Sequence, residues 1–197
     1  ADYSGLKAAI AVVERGANLS EVLTHLVSEV NKHVERAAMF IVKNNAAVGW
    51  YARGFAHNDA VKALTVPLTA DTVFRLVHGA RRATRGHVSH PPATAQALSR
   101  LGGDPQGVLA VPLILRDKVA AGLYCDTSQE EMPAATADLV EILVAFAGKV
   151  IDVLCGMRKQ ITHRDAAVAI LLELPRTGEC TADVVELCGF CSGGKRL

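Results

Sequence analysis

The chain has 197 residues, of which 50% are hydrophobic, 21% are charged and 5% are aromatic. Its 21 lysine and arginine residues nearly balance its 20 aspartate and glutamate residues, which leaves a formal net charge of +1. So much apolar surface excludes a disordered chain, and the balanced charge excludes a globally basic binder of nucleic acid. No apolar run approaches the roughly 20 residues that span a bilayer, so we expect no membrane partner.

The first residues and the cysteines point to the cytoplasm. Residues 1–4 have neither a basic region nor an apolar core, so we expect no signal peptide and interpret this start as that of a fragment or a processed chain. Five cysteines are an odd number for a disulfide framework. Cys125 and Cys155 lie in apolar segments, as is typical of buried thiols in a reducing compartment.

The amino-terminal region has the periodicity of two helices. Apolar residues spaced by three and four predict helices over residues 2–15 and 19–35, with Gly16 between them. Asn18 and Glu21 have the spacing of a capping box at the start of the second helix.

Short apolar runs predict the strands that follow. Residues 37–43 and 47–54 read as a hairpin around Asn44 and Asn45, and residues 62–68 as a third strand. The further elements are a helix over 73–80 opened by Asp71 or Thr72, a short helix over 93–101 within an irregular stretch 81–105, and a hairpin of 107–115 with 119–125.

The carboxy-terminal helix, predicted over residues 134–157, is apolar over a wider arc than one sheet face requires. We expect its second partner to be the amino-terminal helices or another subunit. The prediction is a homodimer in which one face of this helix, joined by Leu6, Ile10 and Val13, meets its symmetry mate. Leu143→Glu or Ile151→Glu should then give a monomer or an insoluble protein. Residues 159–197 are expected to be an extension, helical over 161–174 and ending in a tail that contains glycine and cysteine.

Two stretches of the sequence resemble the GAF domain family. Residues 71–74 (DTVF) with 79–82 (GARR) are similar to the segment after the family's third strand, and residues 108–113 (VLAVPL) with 119–126 (VAAGLYCD) are similar to its strand hairpin. The resemblance implies an α/β fold of the α+β kind. An antiparallel sheet of five or six strands would carry the terminal helices on one face and a pocket under the irregular stretch on the other.

The resemblance also implies boundaries and a role. The GAF domain would span residues 1–158, with amino-terminal helices in 2–35, a sheet and pocket region in 37–126 and the carboxy-terminal helix in 134–157. Members of the family mostly sense small ligands, regulate attached or neighbouring signalling proteins, and often dimerise through terminal helices.

Charge is unevenly distributed along the chain. No acidic residue lies between Asp71 and Asp104. A positive pocket wall there predicts an anionic ligand, such as a nucleotide or an organic acid. The alternative is a solvated basic surface neutralised by acids elsewhere, such as Glu130 and Glu131. The interval contains Arg75, Arg81, Arg82, Arg85, Arg100, His78, His87 and His90.

We predict a ligand site with aromatic and basic members, although each aromatic residue has plain core packing as its alternative. For Trp50, interface packing near a sheet edge is a further alternative. The predicted ligand-binding residues are Phe40, Trp50, Phe74, Arg75, His78, Arg85, His87 and Tyr124.

Histidine spacing does not define a metal or haem site. His87 and His90 have plausible ligand spacing, but no cysteine or carboxylate nearby completes a set, so we predict no metal site. His78 follows an apolar segment and is the one candidate that we name for an axial haem ligand.

The carboxy-terminal cysteines are a weak signal. Cys188 and Cys191 form a single C-x-x-C pair with Cys180 upstream, and zinc usually requires four ligands. A zinc site would need His163 to lie close by, so we favour a structural or incidental role.

Catalysis is not expected. The GAF-like enzymes that reduce free methionine sulfoxide have active-site cysteines in a segment leading into the hairpin, whereas this chain has no cysteine before Cys125. The bilin-attaching cysteine of phytochrome-type GAF domains is missing too, as are P-loop, G-x-S-x-G and H-E-x-x-H motifs.

Two functions remain. The first is a cytoplasmic sensory module that binds a small anionic ligand, relays its state through terminal helices and acts on a downstream signalling protein. The alternative is a ligand-free dimerisation or docking scaffold, in which Phe40, Phe74 and Leu76 fill the pocket. The sequence names neither the ligand, nor a cofactor, nor the output.

Overall fold

The computed structural model of the protein describes residues 4–89 and 91–168, with residues 157–168 described by their backbone alone. Six strands form one antiparallel sheet in the order β3-β2-β1-β6-β5-β4, so β1 and β6 are central. This architecture confirms the predicted fold class. The strands are β1 (Arg36–Lys43), β2 (Ala46–Arg53), β3 (Thr65–Pro67), β4 (Thr84–His87), β5 (Gly107–Leu115) and β6 (Lys118–Thr127).

Within the described residues, five α-helices and two short 3₁₀ helices flank the sheet. Helices α1, α2 and α5 pack on one face, and α3, α4 and the 3₁₀ helices lie on the other. They are α1 (Ser4–Glu14), α2 (Leu19–Val30), α3 (Val73–Ala80), α4 (Ala93–Leu98), α5 (Ala134–Val168) and the 3₁₀ helices Asn58–Ala63 and Ser99–Leu101.

Helix α2 begins at the predicted capping box. The Asn18 Oδ1 atom accepts a hydrogen bond from the Glu21 N–H at 3.0 Å, and the Glu21 carboxylate accepts one from the Ala17 N–H at 2.9 Å. The helix ends at Val30, earlier than predicted. The Asn31 side chain donates to the carbonyl oxygens of Val34 and Glu35, which offers the chain a turn in place of further helix.

The third strand is shorter than its sequence pattern predicts. Residues 58–63 form a 3₁₀ helix that crosses β2 at Gly49, where a Cβ atom would stand 1.9 Å from the Val61 carbonyl oxygen. Only Thr65–Pro67 pairs with β2, at the edge of the sheet, where the missing N–H of Pro67 costs no internal ladder bond. The stretch predicted to be irregular contains a strand, β4, at the opposite edge.

Helix α5 continues to Val168, beyond the end predicted at residue 157. The separate helix predicted from residue 161 is therefore wrong in its start, because residues 157–168 contain no glycine or proline that would break the first helix. The rest of the predicted extension, with Cys180, Cys188 and Cys191, lies outside the described residues.

The wide apolar arc of α5 serves two surfaces. Leu143 and Ile151 are fully buried against the sheet and the other helices, so a glutamate at either position would disrupt the core of the chain and would not by itself test a dimer surface. The outward surface carries Ile142 and Val153, which are 48% and 54% exposed. A helix this apolar has hydrophobic residues on both its inward and its outward face. The sequence periodicity alone does not assign each residue to one of the two faces.

The burial of Leu143 predicts a large stability loss on truncation. Leu143→Ala should lower the free energy of unfolding by about 2–5 kcal/mol, because it removes buried methyl groups and leaves a cavity. Leu76→Ala on α3 makes the same chemical change at a residue that is 38% exposed, and should cost about 0.5 kcal/mol or less. Urea denaturation of both variants checks this, and equal losses would contradict the assignment of the core face.

Candidate functional site

An aromatic cluster occupies the middle of the sheet face that carries α3 and α4. The rings of Phe40 and Phe74 have centroids 4.5 Å apart, and those of Phe74 and Tyr124 are 6.2 Å apart. Gly122 on β6 has no side chain, and the Phe74 ring lies 3.6 Å from where a Cβ atom would be. The centre of this face is therefore packed rather than hollow.

A cleft of about 350 Å³ lies beside the cluster, towards the carboxy-terminal end of β6. Its wall is α4, the 3₁₀ helix after it and the loop 102–106, and its floor is the sheet. Apolar and polar side chains share its surface. Its lining is His87, Val88, Ala95, Leu98, Ser99, Leu101, Gly102, Gly103, Asp104, Pro105, Gln106, Tyr124 and Asp126.

The floor of the cleft is a buried polar network. The Tyr124 hydroxyl donates to Asp126 Oδ2 at 2.8 Å, and Arg36 Nε donates to Asp126 Oδ1 at 2.5 Å. Arg36 on β1 stands opposite Asp126 in the strand register, so the pairing of the two central strands positions the ion pair. Burial raises the pKa of Asp126, although the Arg36 charge and both hydrogen bonds oppose that shift. Burial and the neighbouring Asp126 charge raise the pKa of Tyr124.

Arg36 also holds the cleft wall. Its Nη1 atom donates to the Gly102 carbonyl oxygen at 2.8 Å, so one guanidinium joins the floor to the loop 102–106. Gly103 has a φ of +80°, and a Cβ atom there would stand 1.7 Å from Arg36 Nη1. Only glycine allows both this backbone conformation and this close approach.

The rim of the cleft carries a second chain of hydrogen bonds. His87 Nε2 lies 3.2 Å from Gln106 Oε1, and Gln106 Nε2 donates to Asp104 Oδ1 at 3.1 Å. The Ser89 N–H donates to His87 Nδ1 at 3.2 Å, which makes Nε2 the protonated ring nitrogen. The hydrogen-bonding groups of the rim side chains thus pair with one another. The Asp104 carboxylate lies at the solvent-exposed end of this chain of hydrogen bonds.

Glu35, next to Arg36, ties the same end of the sheet to the segment that leads into α5. Its carboxylate accepts hydrogen bonds from the Ser128 N–H at 3.0 Å, the Ser128 hydroxyl at 2.8 Å and the Thr127 hydroxyl at 2.8 Å. The Ser128 backbone bond, followed by the two hydroxyl bonds, lowers the pKa of Glu35. Arg36 at the start of β1 and Glu35 just before it therefore contact the cleft and the approach to α5.

The structure brings two of the predicted ligand-binding residues to the cleft, Tyr124 and His87. Phe40 and Phe74 lie in the aromatic cluster beside it and do not line it. Trp50 is half-buried on β2 and packs against the core of the α1, α2 and α5 face, so it is on the other side of the sheet.

The predicted arginine wall does not surround the cleft. Arg75 pairs with Asp71 one helical turn away, and Arg85 Nε lies 3.2 Å from the Glu131 carboxylate. His78 is exposed on α3. Asp71 at the border of the interval and Glu131 from elsewhere in the fold therefore neutralise part of its positive charge. Glu131 is one of the acids named in the alternative of a solvated basic surface.

The described cysteines are placed as the sequence predicts. Cys125 and Cys155 are both buried. Burial, reinforced by the Asp126 charge, raises the pKa of the Cys125 thiol far above its usual range, so this sulfur is not a ready thiolate. Among residues 4–89 and 91–168, no three His, Cys, Asp or Glu side chains come together as a metal site would require, and His90 lies outside those residues.

Sequence reasoning missed the polar members of the cleft. Asp126 ends the hairpin motif and was interpreted as a feature of the fold, and Asp104 was noted only as the end of the acid-free interval. Arg36 gave no local signal, because its carboxylate partner is 90 residues away along the chain. The sequence offers one indication of this site, which is that Arg36 and Asp126 are charged residues at the ends of two apolar strands.

Solved structures with a similar fold are GAF domains. The GAF domain of an Acinetobacter phosphoenolpyruvate-protein phosphotransferase superposes with a TM-score of 0.62 at 17% identity, over 87% of this chain and 96% of that chain. The GAF domain of the corresponding Coxiella burnetii protein gives a TM-score of 0.63 at 16% identity, over 84% and 95% of the two chains. The chain therefore has a GAF-like fold, and the resemblance seen in the sequence is confirmed.

An enzyme shares the fold as well. The free methionine-R-sulfoxide reductase from Neisseria meningitidis, solved in complex with its substrate, gives a TM-score of 0.61 at 14% identity, over 75% of this chain and 86% of that chain. No family model and no curated protein sequence matches the chain. In the part of the chain that the structure describes, no helix combines the length and the apolar character needed to cross a membrane.

The floor network predicts a cost for removing one hydroxyl. Tyr124→Phe should lower the free energy of unfolding by about 1–3 kcal/mol, because the buried Asp126 loses a hydrogen-bond donor. Tyr51→Phe, at a half-buried ring on β2, should change it by about 0.5 kcal/mol or less. Urea denaturation measures both, and an unchanged stability in Tyr124→Phe would contradict the network.

The Glu35 contacts predict a pH-dependent stability. Because the folded-state pKa lies below the usual 4.5, the contribution of Glu35 is complete above that pH and is lost as the pH falls through the folded-state pKa. Glu35→Gln should therefore be less stable than the wild type near neutral pH and should converge with it in acid. Ser128→Ala keeps the backbone donor and should show the same trend at smaller size. A stability difference that stays constant with pH would rule out this assignment.

Proposed function

We propose that the chain is a sensory GAF module that binds a small ligand in the cleft beside Tyr124 and passes its state to the terminal helices of a homodimer, in the cytoplasm, for a downstream signalling protein. The observation that carries the proposal is the cleft itself. It combines space for a small molecule, apolar walls and a polar floor fixed by a buried ion pair, which is the make-up of a ligand site.

The relay has a physical basis in two neighbouring residues. Arg36 contacts both the cleft floor and the Gly102 carbonyl of its wall, whereas Glu35 holds Thr127 and Ser128 just before α5. A ligand that moves the loop 102–106 would disturb Arg36 and, through the adjacent peptide unit, the bonds of Glu35. The helix that would receive this change, α5, has the sheet on one side and solvent on the other.

The homodimer is supported by the outward surface of α5. Exposed and half-buried apolar side chains recur there at intervals of three, four, four and three residues, which is the spacing of a helix-packing seam. A second copy would cover this stripe by the same residues on both sides. We call it the α5 stripe: Leu139, Ile142, Phe146, Val150 and Val153.

A regulatory rather than an enzymatic role is supported by the thiols. Cys125 faces the core of the helical side, opposite to the cleft, and its pKa is raised, so no described cysteine offers the cleft a nucleophile. The competing function, a scaffold without ligand, draws support from the aromatic cluster, because Phe40 and Phe74 fill the middle of the face as that reading expects. Leu76 does not join them, since it is exposed.

Native mass spectrometry of gently purified protein tests the ligand proposal. We expect the chain to carry a small molecule that leaves on denaturation. Ala95→Phe projects a large ring into the cleft and should abolish this extra mass, whereas Ala80→Phe at the end of α3, away from the lining, should retain it. An unliganded wild type that also fails to bind any member of a metabolite library would favour the scaffold.

The α5 stripe predicts how the dimer can be broken. Ile142→Glu and Val153→Glu should give folded monomers, because each places a charge in the seam without entering the core. Glu141→Lys changes charge at an exposed position of the same helix that points away from the stripe, and should remain dimeric. Light scattering at tens of micromolar, with circular dichroism as the folding check, measures this. A monomeric wild type would disprove the homodimer.

A further inference from the structure

In the cleft, more of the side-chain hydrogen-bond donors than of the acceptors have partners within the protein. Most hydrogens of its polar side chains already have partners within the protein, and one N–H of the Gln106 amide is the exception among the contacts described. Tyr124 donates to Asp126, Gln106 donates to Asp104, and Ser99 donates to the Gln96 carbonyl at 2.9 Å. The remaining ring N–H, that of His87, points to Gln106 Oε1. The lining side chains therefore offer few free donors to a ligand.

Acceptors are in surplus. The carboxylates of Asp104 and Asp126 provide about eight lone-pair positions. The described contacts use three of them, from Arg36, Tyr124 and Gln106. Asp126 is 2% exposed and lies at the floor, whereas Asp104 is exposed at the rim and accessible from the cleft. A bound molecule meets unused acceptors, above all those of Asp104.

Among the residues that the structure describes, no arginine or lysine lines the cleft to balance these acids. Arg36 is not among the lining residues, and its charge is directed to Asp126 and to the Gly102 carbonyl behind the wall. The arginines of residues 72–103 are also absent from the lining, and Arg75 and Arg85 pair with acids elsewhere. A carboxylate or phosphate placed here would face Asp104 without a compensating guanidinium.

The walls suit a compact apolar body. Val88, Leu98, Leu101 and Pro105 supply hydrocarbon on two sides of the cleft, and Ala95 leaves room between them. A volume of about 350 Å³ is at the lower end of ligand pockets, so it fits a single ring or a short branched chain.

We infer that the cleft binds a small organic cation, a protonated amine or amidine on a compact apolar body, whose charged head is held by Asp104. The inference rests on the proposed function, because it names the ligand class of that same cleft. It replaces the anionic class that the basic interval of the sequence predicts. The cation supplies the donors that the lining lacks, and its apolar part covers the hydrocarbon walls.

A pair of probes that differ mainly in charge tests the ligand class. Benzamidine and benzoate share a ring and carry opposite charges, and ligand-observed NMR with the full chain detects binding even at millimolar affinity. We expect benzamidine to bind and benzoate to bind at least several-fold more weakly. Asp104→Asn, which keeps the shape and the acceptor for Gln106, should weaken benzamidine binding about two- to fivefold, as for an exposed ion pair.

The control is the same substitution at the other end of the β5–β6 hairpin. Asp117→Asn removes one negative charge from the turn, where the residue has a φ of +63° that asparagine adopts readily, and it should leave benzamidine binding unchanged. Equal weakening by both variants would indicate a general charge effect and overturn the site.

Three further outcomes would overturn the inference. They are tighter binding of benzoate than of benzamidine, benzamidine binding that Asp104→Asn leaves unchanged, and no binding of either probe. Native mass spectrometry tests the proposed function separately from these probes. A resident ligand that lacks a cationic group disproves the ligand class and keeps the sensory module. A chain that carries no ligand, binds neither probe and binds no member of the metabolite library disproves the ligand class and favours the scaffold over the sensory module.

Discussion

The ion pair between Arg36 and Asp126 is the interaction on which the rest of the cleft depends. A carboxylate this deeply buried is tolerated only with a charged partner and further hydrogen bonds, and Arg36 and Tyr124 supply them. Because β1 and β6 are the central strands, the pair sits at the end of the two best-supported elements of the sheet. The guanidinium then fixes the wall through Gly102, so the floor and the wall of the cleft share one anchor.

The aromatic cluster decides where the cleft lies. Phe40, Phe74 and Tyr124 fill the centre of the sheet face, and the lack of a side chain at Gly122 lets Phe74 come down onto β6. Space remains beside the cluster, where the strand end brings Asp126 and the loop brings Asp104. A fold that hosts many functions thus acquires its particular chemistry here from which side chains fill the face and which are left out.

On the sheet face that carries α1, α2 and α5, helix α5 has two apolar sides with different surroundings. Leu143 and Ile151 complete the core, while the α5 stripe faces outwards. The composition of α5 predicts that it has more than one partner, because a single sheet face requires a narrower apolar arc. Which residues belong to which side depends on the rotation of the helix on the sheet, and packing against α1, α2 and β5 sets that rotation.

Local patterns by themselves determined the order and the type of nearly all the elements. The capping box at Asn18 and the asparagine turn after β1 follow from side chains that act on the local backbone, so the sequence is sufficient for them. Tertiary structure alone decided the site. Asp126 acquires its partner from 90 residues away, and Arg85 pairs with Glu131 from outside the acid-free interval. Charge along the chain is a one-dimensional property, whereas the charge of a cleft depends on which elements the fold brings together.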